Sequence, residues 1–285
     1  MGKIKIITAM LIFGSIGLFV KNIPLSSSEI ALYRGVIGCI FLVIASVFLK
    51  KKLSFITSKR NLWLLFASGG AIGFNWIFLF EAYRYTTISN ATLSYYFAPV
   101  IVMLLAPFIL KEKWTWVKAL SIVGAMMGLF LIVSTDSQVE GVFNHPLGIM
   151  YGLLAASLYA SVIMMNKFIK GISDIETTLV QLFMASIVLL PYVLMTNGIH
   201  ISEVGTTSIF LILIVGIVHT GIAYLLYFSS MKQLNGQTIA LLSYVDPISA
   251  VVMAAIILNE SMTWLQILGG LFILGSALLS EWKKH

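Results

Sequence analysis

Apolar runs of about twenty residues, separated by short polar breaks, recur along the whole chain. A helix rising 1.5 Å per residue needs roughly that length to cross about 30 Å of hydrocarbon. Taken run by run, the pattern predicts transmembrane helices at 4–20, 29–49, 61–84, 88–110, 114–134, 147–168, 175–197, 207–230, 236–258 and 264–281. The expected fold is an all-α integral membrane protein of ten spans. Two runs carry interruptions: the fourth holds Pro99, and the ninth holds Asp246 and Pro247. Proline lacks an N–H and its ring clashes with the carbonyl four residues earlier. Pro99 and Pro247 are therefore read as hinges or static kinks that free the carbonyls of Tyr95 and Ser243. The first run follows Lys3 and Lys5, as the apolar core of a signal peptide would. The segment Lys21–Glu29 offers no convincing small-residue cleavage site, so this run is expected to stay as the first helix.

The pattern also repeats. Leu93–Leu120 aligns without a gap to Leu241–Leu268, and ten of 28 positions are identical at an offset of 148. Apolar bias accounts for matched Leu and Ile. It does not readily account for Tyr96/Tyr244, Pro99/Pro247, Glu112/Glu260, Thr115/Thr263 and Trp116/Trp264 together. A weaker match at an offset of 147 pairs Glu29 with Glu176, Leu32 with Leu179 and Arg34 with Gln181. The chain is expected to hold two five-helix repeats, at 1–140 and 145–285, with Thr135–Pro146 as the seam. Five is odd, so the second repeat enters the bilayer inverted. Inverted repeats suit secondary transporters, because one site between two halves can open to either side.

Charge tests that topology. With both termini in the cytoplasm, all of the 18 Lys and Arg residues except Lys21, Arg34 and Arg84 lie on or near the inner side. That is the bias that orients membrane proteins. The fourth break reads Lys111–Glu112–Lys113, whereas its repeat mate reads Asn259–Glu260–Ser261. The glutamate stays and both lysines go, as opposite orientation requires. Only 10% of residues are charged, against about 25% in soluble domains. The net charge of +7 is thus a loop charge that orients helices, and nucleic acid is not an expected partner. The single cysteine, Cys39, lies in an apolar run and is read as a packing residue.

The duplicated Tyr–x–x–Pro segments (Tyr96–Pro99, Tyr244–Pro247) and the Glu–x–x–Thr–Trp segments at Glu112 and Glu260 resemble those of the drug/metabolite transporter superfamily, in particular its ten-helix EamA-type exporters. Asp246–Pro247 and the glycine-rich last run, Gly269, Gly270 and Gly275, are similar too. The resemblance covers essentially the whole chain. It implies two EamA modules around a central cavity, lined by helices 3, 4, 8 and 9, with helices 5 and 10 peripheral. It further implies movement of amino acids and other small metabolites, more often outward than inward, either coupled to protons or another gradient or facilitated.

Several side chains are candidates for the chemistry. Asp246 falls near midplane, where a carboxylate costs several kcal/mol unless paired, solvated or protonated. It is read as binding a cationic substrate or a coupling proton; the structural alternative is a local cap or kink. Tyr95, Tyr96 and Tyr244 offer aromatic faces and hydroxyls suited to amphipathic cations. Asn75, Trp76 and His219 are polar or aromatic at mid-helix, and a lone buried His is more often hydrogen-bonded structure than a proton relay. Arg34, Glu81 and Arg84 cluster near the outer ends of helices 2 and 3. Glu81 and Arg84, three apart, can form a local ion pair. The other reading is an outer gate, or a substrate carboxylate held by Arg34. Gly124 and Gly128 form a small-x-x-x-small packing face.

No G-x-x-x-x-G-K-S/T motif, H-E-x-x-H motif or Cys/His metal spacing is present, so no ATP-driven engine, metal or cofactor is expected. The expected partners are a small-molecule substrate, the lipid bilayer and a coupling proton, for a monomer or homodimer in the plasma membrane. A coupled secondary transporter is the leading expectation. An uncoupled facilitator is the alternative, and an intramembrane enzyme or sensor is third.

Overall fold

The structure, a computed structural model, describes residues 1–48, 59–111, 115–135, 144–196, 198–231, 233–234, 239 and 242–282. Lys50–Lys52, Glu112, Lys113, most of the Thr135–Pro146 seam, Lys232, Lys283 and Lys284 lie outside these. Among the described residues the regular structure is entirely helical: α1 (Gly2–Val20), α2 (Ser27–Phe48), α3 (Lys59–Tyr85), α4 (Ile88–Tyr95), α5 (Ala98–Ile109), α6 (Trp116–Thr135), α7 (His145–Asn166), α8 (Asp174–Thr196), α9 (Thr206–Gly216), α10 (Ala223–Met231), α11 (Val245–Ile257) and α12 (Trp264–Trp282). Seven stretches are long and apolar enough to span a bilayer: α1, α2, α3, Ile88–Ile109, α7, α8 and Thr206–Tyr227. Shorter apolar helices occupy Trp116–Ile132, Val245–Ile257 and Trp264–Leu279. The molecule is thus a multi-pass membrane protein.

Two predicted spans differ in detail. The fourth is not one helix but α4 and α5, parted at Tyr96 and Phe97, because Pro99 sits in the first turn of α5. There its missing N–H is no loss, so proline starts a new helix rather than bending an old one. Among the described residues the Tyr95 carbonyl accepts no backbone hydrogen bond across the break. The eighth span runs through a π-helical segment, Ile217–Ile222, between α9 and α10. Such segments are rare and often lie at functional sites.

The helix ends are built in matching pairs. Glu29 Oε2 accepts from Ser26 N–H (3.3 Å) and Ser26 Oγ–H (2.9 Å), while Glu29 N–H donates to Ser26 Oγ (3.2 Å). Glu176 and Ser173 make the same three bonds, at 3.0, 2.7 and 3.3 Å. Both are capping boxes that satisfy the orphan N–H groups of a first turn. Lys111 and Asn259, 148 apart, both end a helix in the left-handed region (φ 55° and 53°).

Packing follows the same plan. α3 packs on α7 and α8, α2 on α8, α1 on α10 and α11, and α4 and α5 on α7. α6 and α12 pack on one another, with Leu120, Phe130, Leu271 and Leu279 exposed on their far sides. Gly128 and Gly269 are the close approach in that pair: a Cβ on either would stand 2.5 Å from the other's carbonyl oxygen. Gly128→Leu should therefore lower the melting temperature by about 5–10 °C, the usual result of overpacking a tight contact. A scan of detergent-solubilised variant against wild type checks this.

Candidate functional site

Four helices bring the predicted residues to one place. Asp246 stands in the first turn of α11, half-buried, and its Oδ2 accepts a 2.6 Å hydrogen bond from the Tyr96 hydroxyl at the α4–α5 break. The break aims this side chain: Tyr96 ends α4 with its amide bonded back to Thr92 O (2.9 Å), and the chain turns before Pro99. Tyr95 packs edge-on to Tyr96 (5.9 Å) and against Tyr159 of α7 (5.6 Å). Asn75 of α3 donates to the Ala155 carbonyl of α7 (2.6 Å) and lies within reach of the Tyr95 hydroxyl. α1 closes the far side: a Cβ at Gly14 would stand 2.6 Å from the Asp246 carbonyl oxygen.

Arg34 completes the cluster. It lies on α2 and is only 5% exposed. Its guanidinium sits 4.3 Å from the Trp76 ring centre and 5.9 Å from that of Phe80, while Nε donates to Thr220 Oγ1 (2.9 Å) in the π-helical segment. Asp246, Tyr83, Tyr95 and Tyr224 all lie within its electrostatic range. Buried cations persist in membranes when they face the bundle interior and find an acid or aromatic partner. Among the described residues the site therefore holds a buried guanidinium, a carboxyl group bonded to a tyrosine, and several aromatic hydroxyls.

The structure separates the other candidates. Glu81 and Arg84 pair with each other at 3.3 Å on an exposed turn, away from the buried Arg34. His219 is 1% exposed, with Nε2 3.0 Å from Ser15 Oγ, Nδ1 3.4 Å from the Ile214 carbonyl, and Phe19 edge-on at 4.8 Å. It neighbours the Arg34 partner Thr220 but contacts no acid among the described residues. Tyr244 is buried at the N-cap of α11, and Pro247 is buried in the same first turn as Asp246. Sequence reading missed Tyr159, Tyr224 and Thr220. The two tyrosines carried the signal used for Tyr244, an aromatic hydroxyl deep in a span. Thr220 carried none, because its role depends on the π-helical turn. No group of three or more His, Cys, Asp or Glu among the described residues could hold a metal ion.

Ionisable side chains inside a membrane-spanning bundle commonly mark a substrate or ion pathway. The profile of the EamA-like transporter family matches residues 1–134 and, again, residues 146–282. The chain belongs to that family. Its relatives agree: an uncharacterized transporter of Bacillus subtilis (strain 168), YxxF, is 30% identical over 282 residues, covering 99% of this chain and 90% of that one. A transporter of Archaeoglobus fulgidus is 25% identical over 99% of this chain and 97% of its own length. Protein PecM of Dickeya dadantii is 24% identical over 77% of this chain and 74% of its own. A solved structure at 18% identity superposes with a TM-score of 0.65, covering 98% of this chain and 96% of that one, which shows the shared fold. This EamA-family chain is a membrane transporter.

Proposed function

We propose that this transporter is a secondary carrier of small amphipathic metabolites, amino acids among them, that works by alternating access and normally exports. The Asp246–Tyr96 hydrogen bond beneath the buried Arg34 carries the reading. An α-amino acid presents an ammonium to Asp246, a carboxylate to Arg34, and its side chain to the tyrosine ring. The substrate's own charges then replace interactions that each fixed charge would otherwise lack in a low-dielectric interior. Asp246 also holds the coupling proton in this scheme, because substrate ammonium and proton compete for one carboxylate.

The same scheme has ten crossings, two five-helix repeats at 1–140 and 145–285 with opposite orientation, and both termini on the cytoplasmic face of the plasma membrane. The paired capping boxes, the paired left-handed helix ends and the mutual packing of α6 with α12 support it. Asp246 and Tyr96 come one from each repeat, so movement of the halves changes access to the pair. No enzymatic step is needed.

Uptake of pooled labelled amino acids and organic cations into protein-only liposomes, with and without a pH gradient, tests the proposal. Accumulation above equilibrium under the gradient is expected. Equilibration alone would replace the carrier with a facilitator, and absence of flux would refute the substrate class. Arg34→Lys is informative here. Lysine keeps the charge but loses the planar stacking on Trp76 and the Nε bond to Thr220. Initial rates should fall about tenfold, the value of one hydrogen bond to a charged group.

A further inference from the structure

α3 carries aromatic side chains on two opposite faces. Trp76, Phe80 and Tyr83 face Arg34. Phe74, Phe78, Glu81 and Tyr85, spaced by four, three and four residues, share the other side of the helix. This second face meets α7 and α8 at the end of the bundle where α3 stops. There it bounds a cavity of about 200 Å³ lined by Ser28, Ile77, Phe78, Glu81, Tyr151 and Tyr192.

The walls are rigid rings. Tyr151 stacks on Phe78 (6.0 Å) and Tyr85 (5.6 Å), and Tyr192 meets Phe74 edge-on (5.3 Å). Glu81 is the one acid of the lining, and no Lys or Arg lines it. Only Oε1 is engaged, by an Arg84 side chain that is 57% exposed, and an exposed pair of this kind contributes little. Oε2 has no partner among the described residues. The terminal carbonyls of α3 add negative potential at the same end.

We propose that this cavity is a second binding site, separate from the Asp246 cluster, that takes an alkylammonium group. A carboxylate oxygen with a free lone pair, set beside aromatic side chains, is the chemistry that holds such cations. The volume falls below the roughly 300–1,000 Å³ of sites that enclose whole small molecules. It takes an ammonium head, and the remainder of the ligand stays outside. That head belongs either to a lipid of the adjoining leaflet or to a free solute, and the chemistry is shared.

The test uses the full-length transporter in phosphatidylglycerol nanodiscs, with a nitroxide-labelled trimethylammonium compound as probe and its immobilised fraction read by electron spin resonance. The comparison is made in the Asp246→Asn background, which removes the carboxylate of the first site, and that protein should still bind the probe. Glu81→Gln, which keeps shape and loses charge, should weaken binding about fivefold, as should Tyr151→Ala. Competition when phosphatidylethanolamine enters the discs would assign the site to a lipid head; competition only by free tetramethylammonium would assign it to a solute. Undiminished binding by Glu81→Gln, or loss of binding in Asp246→Asn alone, would overturn the second site.

Discussion

Asp246→Asn should abolish concentrative transport while leaving the folded bundle intact. The substitution removes one charge and changes no volume. Tyr96 keeps an oxygen to donate to, so the 2.6 Å contact can survive. What goes is the ionisable carboxyl that, in the proposed scheme, a substrate ammonium or a proton occupies. Removing one partner of a hydrogen-bonded charge pair inside a protein costs about 2–5 kcal/mol, so the initial rate should fall by about thirtyfold or more. Tyr96→Phe is the graded companion. It keeps the charge and removes one hydrogen bond, so a loss of about tenfold is expected. The pH response separates coupling from binding. If Asp246 carries the coupling proton, the wild-type dependence of flux on an imposed pH gradient vanishes in the Asn variant, whatever flux remains. Proteoliposome uptake across a pH series measures both. Asp246→Asn transporting at the wild-type rate with the wild-type pH profile would remove the carboxylate from the mechanism.

Two kinds of position in the repeat explain what the sequence could disclose. Where the copies agree, the structure shows architecture. Glu29 and Glu176 cap helices in the same way, and Pro99 and Pro247 both lie in the first turn of a helix, three residues after Tyr96 and Tyr244. Where they differ in charge, the structure shows the candidate chemistry. Arg34 aligns with Gln181, and Asp246 aligns with Ala98. Among the described residues Gln181 donates to Ser68 and Asn166, at 2.7 Å each, whereas Arg34 is stacked on Trp76 in the cluster. The charged members of these two divergent pairs thus lie within electrostatic range of one another. Their divergence was available from the alignment alone, and it would have moved Arg34 from the gate group to the site.

The remainder was not legible, for physical reasons. Whether Pro99 bends a helix or starts one depends on the path of neighbouring helices, which a linear pattern does not carry. The π-helical turn at Ile217–Ile222 places Thr220 under Arg34, yet its residues suit an α-helix equally well. The partners of Glu260 lie 171 and 172 positions away, so no local spacing announces them.

Those partners carry the second large prediction. Glu260, in the turn after α11, reaches the first turn of α4. Its Oε1 accepts from Ile88 N–H (2.9 Å), and its Oε2 accepts from Ser89 N–H (3.2 Å) and Ser89 Oγ–H (3.1 Å). Lys21, just past α1, adds an ion pair at 3.2 Å. A carboxylate on a helix N-terminus satisfies orphan donors and meets the positive end of the helix dipole. Here it also bridges the turn after α11 to α4, with the Glu260 side chain only 8% exposed. Glu260→Gln leaves the amides of Ile88 and Ser89 a neutral oxygen, and the Gln amide N–H₂ now faces donors. Breaking a buried charge network of this kind costs about 3–5 kcal/mol, so opening at this end should become at least about a hundredfold more frequent. Hydrogen exchange at the Ile88–Asn90 amides should accelerate to match, and net transport should slow because one access state is overpopulated. Lys21→Gln discriminates the cap from the ion pair. Lys21 makes one contact to this carboxylate, whereas three donors of α4 make the others, and at 22% exposure water can replace its ammonium, so exchange should accelerate less than in Glu260→Gln. Equal exchange in Glu260→Gln and wild type would show that the halves part without releasing this carboxylate.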